Sequence, residues 1–299
     1  MTSQKILGVK VDFELSFEDV LKTIEEKYLV DGKTHIICTT NPEFVMDAEN
    51  DEDFKKIINE SDMSIPDGTG VIYAKNYIDK IAKIKKDIMF PIKAFATGCS
   101  IGLSSLFNKN HIIKERLTGV DLTYRICELS SRNKYNIFLL GGRHKNAVGK
   151  SLDISDSDMA TETANVLAGM YPGLNIVGAT SRFNSSLEHD QQTVDYIKQC
   201  MNEKDVDHID FLFVAYGHSK QEKWIQRNKD KIFAKVSIGC GGTFDFIVGN
   251  CKLPPEIYIN KNLGWLYRLI KQPWRIKRVF KAFPIFPLKV YFESVNNCL

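Results

Sequence analysis

The segment from Phe211 to Phe246 constrains this chain more than any other. It reads FLFVAYGHSKQEKWI, then a short polar helix, then KVSIGCGGTFDF. Each half is an apolar run that ends in glycine and passes into polar or charged residues. Near-continuous apolar runs, as opposed to alternating ones, are expected of strands covered by helices on both faces. In an open parallel sheet, ligands sit outside the carboxyl ends of the strands, where glycine lets backbone N–H groups approach an anion. Two such strand ends in succession, with Gln221 and Glu222 opening the helix between them, describe a nucleotide or sugar-nucleotide cleft.

The same kind of run recurs along the chain. THIICTT, DMSIPDG, YNIFLLGG, LNIVGAT, DFLFVAYG and KVSIGCGG are the strand candidates, separated by helical stretches. Helices are expected over Pro42 to Asn59, with Asn50 capping a second segment, and over Asp121 to Arg132 and Thr193 to Asn202. The fold class is therefore α/β: a Rossmann-like, mostly parallel sheet covered by helices on both faces, with a basic helical appendage at its C-terminus. Two segments read as additions: a lysine-rich, then Gly/Ser-rich insertion at about 76–113, and a Ser/Asp-rich surface loop at Lys150 to Asp158. Pro254-Pro255 break regular structure, which divides the chain into an α/β core over 1–250 and an appendage over 251–299.

Seven scattered cysteines without a CxxC indicate a reducing compartment and neither a zinc site nor a disulfide framework. The N-terminus has no apolar h-region, and no window reaches the roughly 20 apolar residues of a membrane span. Charge is unevenly spread. From Lys252 onward nine basic residues face two acidic ones, +7, which leaves −4 for the preceding 251 residues. Lys261, Arg268, Lys271, Arg275 and Arg278 would form one basic stripe on a continuous helix, interrupted by Pro273. Trp265, Trp274, Phe280 and Phe283 add interfacial aromatics. A solvated helix usually mixes signs of charge, so a membrane-surface or diphosphate-binding segment fits this tail better.

Several constellations could carry chemistry. In CTTNPEF a strand ends in hydroxyls and an amide; Thr39 and Asn41 are either helix-capping groups or substrate contacts. Asp67 in IPDGTG is either an ordinary turn residue or a general base at a strand end. FLLGGRHKNAVGKS contains Gly149-Lys150-Ser151 but has His144 where a P-loop needs its first glycine, so that motif is rejected. Gln221 and Glu222 suit a helix first turn as well as a ligand. Gly239, Gly241 and Gly242 do not match GxGxxG, which leaves a dinucleotide fingerprint unsupported. The glycine-ended strands place Gly141, Gly142, Gly217, Gly239 and Gly242, with Phe244 and Asp245, among the candidate substrate-binding positions.

Taken in order, TTNPEF, DMSIPDGTGVIYA, ERLTGVDL, FLLGG, YPGLNIVG, FLFVAYGHSKQEKWI, SIGCGGTFDFIVG and GWLYRLIKQPWRIKR resemble the WecG/TagA/CpsF glycosyltransferases. The resemblance implies an inverting enzyme that moves N-acetylmannosamine, or a related sugar, from a UDP-sugar to undecaprenyl-diphosphate-linked N-acetylglucosamine. It implies no metal cofactor and no DxD motif. Residue by residue, Asp67 resembles the family's general base. Thr39, Asn41, Arg116 and Gln221 resemble its substrate-holding residues, and Arg268, Arg275 and Arg278 its arginines that close on the leaving diphosphate. The implied partners are the UDP-sugar, a lipid-linked acceptor and the inner membrane surface, with a homo-oligomer possible and no nucleic acid. The alternatives are a UDP-hexose or UDP-N-acetylmannosaminuronate transferase and a non-catalytic sugar-nucleotide-binding subunit. Departures from the family pattern fall at the 76–113 insertion, Ser181-Arg182-Phe183, His218-Ser219 and Leu263-Gly264-Trp265.

Overall fold

A computed structural model describes residues 1–107, 117–144 and 158–296. An antiparallel hairpin, β1 (Thr2–Ile6) and β2 (Val9–Phe13), precedes α1 (Phe17–Thr23). Then follow β3 (His35–Thr40), α2 (Pro42–Ala48), α3 (Glu52–Glu60), β4 (Met63–Pro66), α4 (Thr69–Ile81) and α5 (Phe90–Phe107). The centre comprises α6 (Gly119–Asn133), β5 (Asn136–Gly141), α7 (Met159–Met170), β6 (Asn175–Thr180), α8 (Leu187–Glu203), β7 (Ile209–Ala215), α9 (Lys220–Asn228), β8 (Ala234–Gly239) and α10 (Thr243–Ile247). The tail is broken into α11 (Glu256–Asn260), α12 (Gly264–Lys271), α13 (Ile276–Phe280) and α14 (Phe286–Asn296).

All six strand candidates join one parallel sheet, in the order β4-β3-β8-β7-β5-β6. Successive side chains alternate between its faces, as the pleat requires. Ile137 and Leu139 of β5 join a cluster with α1, α6, α7 and α10, whereas Phe138 and Leu140 join one with α2 to α5, α8, α9 and α14. Both faces are thus covered, and this is why the strands read as continuous apolar runs.

The hairpin was not anticipated, since its short strands carry little more than the Leu7-Gly8 turn as a signal. It covers the outer edge of β4. Ser64 N–H donates to the buried Asp12 carboxylate (2.7 Å), Ser64 Oγ donates to Lys10 O (2.7 Å), and Asn59 Nδ2 donates to Gly8 O (3.0 Å). An otherwise open sheet edge is thereby closed.

Other boundaries also shift. Asp51, not Asn50, caps α3, its carboxylate accepting from Phe54 N–H (3.1 Å). The insertion read as Gly/Ser-rich is largely helical: it completes α4 and forms the 18-residue α5. Its glycines are tolerated because α5 is held by α4 and α14 rather than by propensity. The tail does not form a continuous helix; it breaks at Pro273, as its sequence suggests. Phe286, Val290 and Val295 of α14 are buried in the same cluster as the sheet. Of the Ser/Asp-rich run only Asp158 is described, and it caps α7; the GKS triplet lies outside the described residues.

Replacing Asp12 by Ala would leave the buried Ser64 N–H without an acceptor. Urea denaturation should show a loss of about 1–3 kcal/mol, the cost of one unsatisfied buried donor; an unchanged midpoint would mean the hairpin is not anchored through this carboxylate.

Candidate active site

Parallel pairing brings the ends of β4, β3, β8, β7 and β5 to one edge. At the end of β3, Thr39 Oγ1 donates to Gly239 O on β8 (3.4 Å). The Asn41 amide oxygen accepts from Glu43 and Phe44 N–H (2.9 and 3.1 Å), so the side chain caps α2. The cap uses only the oxygen of the amide. On the neighbouring strand, Asp67 N–H donates to Thr40 O (2.9 Å), which fixes its backbone beside the end of β3. Gly68 follows at φ +84°, a conformation that lets α4 start immediately and that a side chain would strain.

The glycine positions divide into two kinds. A Cβ on Gly141 would lie 2.8 Å from the Tyr216 ring, and one on Gly142 would lie 3.0 Å from the Phe244 ring. Gly142 N–H already donates to Ala215 O (2.9 Å), and Phe244 is buried. Gly141, Gly142 and Phe244 are thus closely packed at this edge, and the Gly142 N–H is already taken. Gly217 differs, with φ +87° and open space where a Cβ would project.

Gln221 and Glu222 are also buried, 1% and 0% exposed. Gln221 Nε2 donates to Glu222 Oε1 (2.7 Å), and Gln221 Oε1 accepts from Gly241 N–H (2.9 Å). The oxygen of the Gln221 amide therefore braces the Gly239–Gly242 loop, while its nitrogen is held by Glu222. A Cβ on Gly239 would fall 2.3 Å from Glu222 Oε1 and 2.4 Å from Gln221 Nε2, so only glycine admits this brace. Burial pushes the Glu222 carboxyl up to about 7, against the smaller opposing pull of the Gln221 hydrogen bond.

The tail lies across this edge. The Cβ position of Gly242 is 3.6 Å from Asp245 Oδ2 and 3.9 Å from Arg268 Nη2, and the Arg268 guanidinium stacks on the Phe246 ring at 5.1 Å. Arg268 Nε is buried and unpaired among the described residues. Burial, then the charges of Arg268 and Arg278, bring Arg275 down to about 10, so it stays cationic at neutral pH. Among the described residues neither Arg268 nor Arg275 has an ion-pair partner. Lys271, grouped with them and with Lys261 by sequence spacing, extends over the Tyr267 ring.

What holds the tail down is a set of residues that the sequence did not single out for this role. Arg278 pairs with Glu43, Lys281 with Asp47 and Lys289 with Glu49. Glu43 and Asp47 are one helical turn apart on α2, a spacing that could have flagged them. His218 bridges the two sides. Burial first, then the Arg278 charge, hold it below the ordinary histidine value. The neutral ring donates from Nε2 to Asp47 Oδ2 and accepts at Nδ1 from Arg278 Nη2 (3.4 Å), a tautomer set by these partners. Arg116 lies outside the described residues.

Because the folded Glu222 carboxyl holds its proton more tightly than an unfolded one, stability should fall as pH rises from about 4.5 to about 7, then level off. The span corresponds to about 3 kcal/mol. Urea denaturation across pH 5 to 8 should show this slope, and Glu222→Gln should flatten it. An equal slope in the variant would mean the carboxyl is ordinary.

Comparison with known proteins adds the chemistry. Residues 4–88 and 94–297 match the model of the "Glycosyl transferase WecG/TagA/CpsF family". A Bacillus subtilis (strain 168) protein named N-acetylglucosaminyldiphosphoundecaprenol N-acetyl-beta-D-mannosaminyltransferase is 29% identical over 283 residues, 94% of this chain and 88% of that protein. Proteins of the same name from Staphylococcus aureus (strain MRSA252) and Bacillus spizizenii are 25% and 24% identical, covering 95% and 90% of this chain and 91% and 83% of their own lengths. The match runs through the strand ends and the arginine-bearing tail alike, and the chain belongs to the WecG/TagA/CpsF family of glycosyltransferases.

Proposed function

We propose that this enzyme transfers N-acetylmannosamine, or a closely related sugar, from a UDP-sugar to N-acetylglucosamine carried on undecaprenyl diphosphate. The observation that carries the reading is the cluster of Arg268, Arg275 and Arg278 over the end of β8, two of its three guanidiniums lacking an acidic partner among the described residues. Such crowding of like charge is costly unless an anion joins it. A nucleoside diphosphate leaving group is an anion of suitable size, and guanidiniums recognise its oxygens in bidentate fashion.

The reaction is an inverting displacement. The acceptor hydroxyl attacks the anomeric carbon, its proton passes to the Asp67 carboxylate, and the bond to the UDP oxygen breaks with its electron pair leaving on the diphosphate. Asp67 suits the base because its backbone is fixed between β3 and β4 at the cleft edge. The arginines neutralise charge as it develops on the leaving group, the role a metal plays elsewhere, so no metal cofactor is required. Thr39, Asn41, Arg116, Gly217, Gly242 and Asp245 contact the substrates, whereas Gln221 and Glu222 shape the loop that does so. Residues 251–299 act as a closing appendage, and their aromatic and basic groups hold the enzyme peripherally on the inner membrane face, the side on which the lipid-linked acceptor is presented. Among the described residues no helix is long and apolar enough to cross a membrane.

Asp67→Ala should reduce kcat by about 10²- to 10⁴-fold with UDP affinity by calorimetry nearly unchanged; undiminished turnover would remove Asp67 from the mechanism. Arg275→Ala should lower kcat/KM by about 10²- to 10³-fold, comparable to removing one oxyanion donor. It is a better probe than truncation after Pro255, which would also strip Phe286, Val290 and Val295 from the core. UDP release from a panel of UDP-sugars, with a soluble acceptor analogue, identifies the donor; inhibition by EDTA would contradict metal independence.

A further inference from the structure

Helix α5 is apolar on two sides, and only one is covered. Phe90, Ala94 and Ile101 are buried against the core. On the other side Ile92, Phe95, Cys99 and Leu103, spaced three, four and four residues apart, form an exposed stripe. Ile88 and Met89 extend it at the N-terminal end, Ile88 being 95% exposed. Lys93 is the only charged residue among the 18 of the helix. A helix apolar all round belongs in a core or against lipid, and a contiguous exposed stripe marks an interaction surface.

Three further observations bear on what covers it. The last turn of α4 and the connector leading into α5 carry Lys80, Lys83, Lys85 and Lys86, all exposed and without an ion pair among the described residues, whereas Asp79 and Asp87 are taken by Lys75 and Lys93. Beside this connector a cavity of about 160 Å³ opens between α4, α5 and α14, lined by Ile78, Ile81, Ala82 and Phe90 with Lys86 and Ser294. The stripe also continues onto the tail: Phe95 meets the Tyr291 ring at 5.7 Å, and Tyr291 meets the exposed Phe292 at 5.1 Å. Apolar side chains bordered by unpaired lysines, next to an aliphatic cavity, complement an anionic lipid surface. A twofold contact with a second copy through the Ile88 end would instead set two lysine clusters together, which is unfavourable.

We infer that the exposed face of α5, with its lysine connector, is a second lipid-docking element that lies on an anionic bilayer independently of Trp265, Trp274, Phe280 and Phe283. The family match skips residues 89–93 within this very element. Among the described residues no helix is long and apolar enough to cross a membrane, and the proposal places α5 in the interface, with Ile88, Met89, Ile92 and Phe95 inserted and the lysines at the headgroups. This inference goes beyond the transfer reaction and does not depend on it.

The test is co-sedimentation of the full chain with phosphatidylcholine vesicles containing or lacking phosphatidylglycerol. Ile88→Glu/Ile92→Glu, at two exposed positions, should lower the partition constant about tenfold or more. Lys83→Ser/Lys85→Ser/Lys86→Ser should weaken binding about fivefold per lysine on the anionic vesicles and hardly at all on the neutral ones. Melting curves and UDP affinity should match those of the parent, which separates this result from any failure of the proposed reaction. Partition constants within twofold of the parent for both variants would overturn the proposal. So would light scattering that shows a dimer dissociated by Ile88→Glu/Ile92→Glu with vesicle binding unchanged, since a second copy would then be the cover.

Discussion

Parallel pairing of β4, β3, β8, β7 and β5 is the constraint on which the site depends. It requires every strand to leave the sheet at the same edge, so Thr39, Asp67, Gly142, Gly217 and Gly239 are aligned along one edge, and Thr39 and Gly239 touch although 200 residues separate them in the chain. Helices must cover both faces, which keeps water from the backbone except at that edge. The proposed chemistry accordingly lies at that edge, where the Asp67 turn ends β4.

Charge completes what pairing begins. The tail brings an excess of cations to an edge that has none of its own from the glycine loop. Two kinds of partner divide those cations. The acidic side of α2 and its C-cap, through Glu43, Asp47 and Glu49, takes Arg278, Lys281 and Lys289 and fixes the tail's position. Among the described residues Arg268 and Arg275 have no ion-pair partner; Arg268 stacks on Phe246, and Arg275 feels the charge of Arg268. Docked and unpaired arginines are thus neighbours under one field, with neutral His218 joining Asp47 to Arg278.

Much of this was legible in the residues. All six parallel strands are visible as apolar runs because double-sided burial leaves no polar face to confuse the pattern. The break at Pro273 and the basic bias of the tail were equally plain. The roles of Gln221, Glu222 and Phe244 were not. Their sequence context describes a helix opening and a strand end, and whether such a residue faces a ligand or the back of a loop depends on which side of the sheet edge it meets. The hairpin escaped notice because five-residue strands have weak periodicity, and α5 because glycine and serine lower helix propensity without deciding it.

The sequence by itself determined the α/β class, the strand ends where a ligand can approach, the candidate base and the cationic tail, since these follow from local composition and spacing. Only the tertiary structure decided which arginines stay unpaired, which glycines are closed in by rings, and which face of α5 is left bare. Those outcomes depend on contacts between segments far apart in the chain: Glu43 reaching Arg278, Gln221 reaching Gly241, Tyr291 reaching Phe95. No periodicity along one segment encodes what another will cover, because burial and charge pairing are properties of the assembled surfaces.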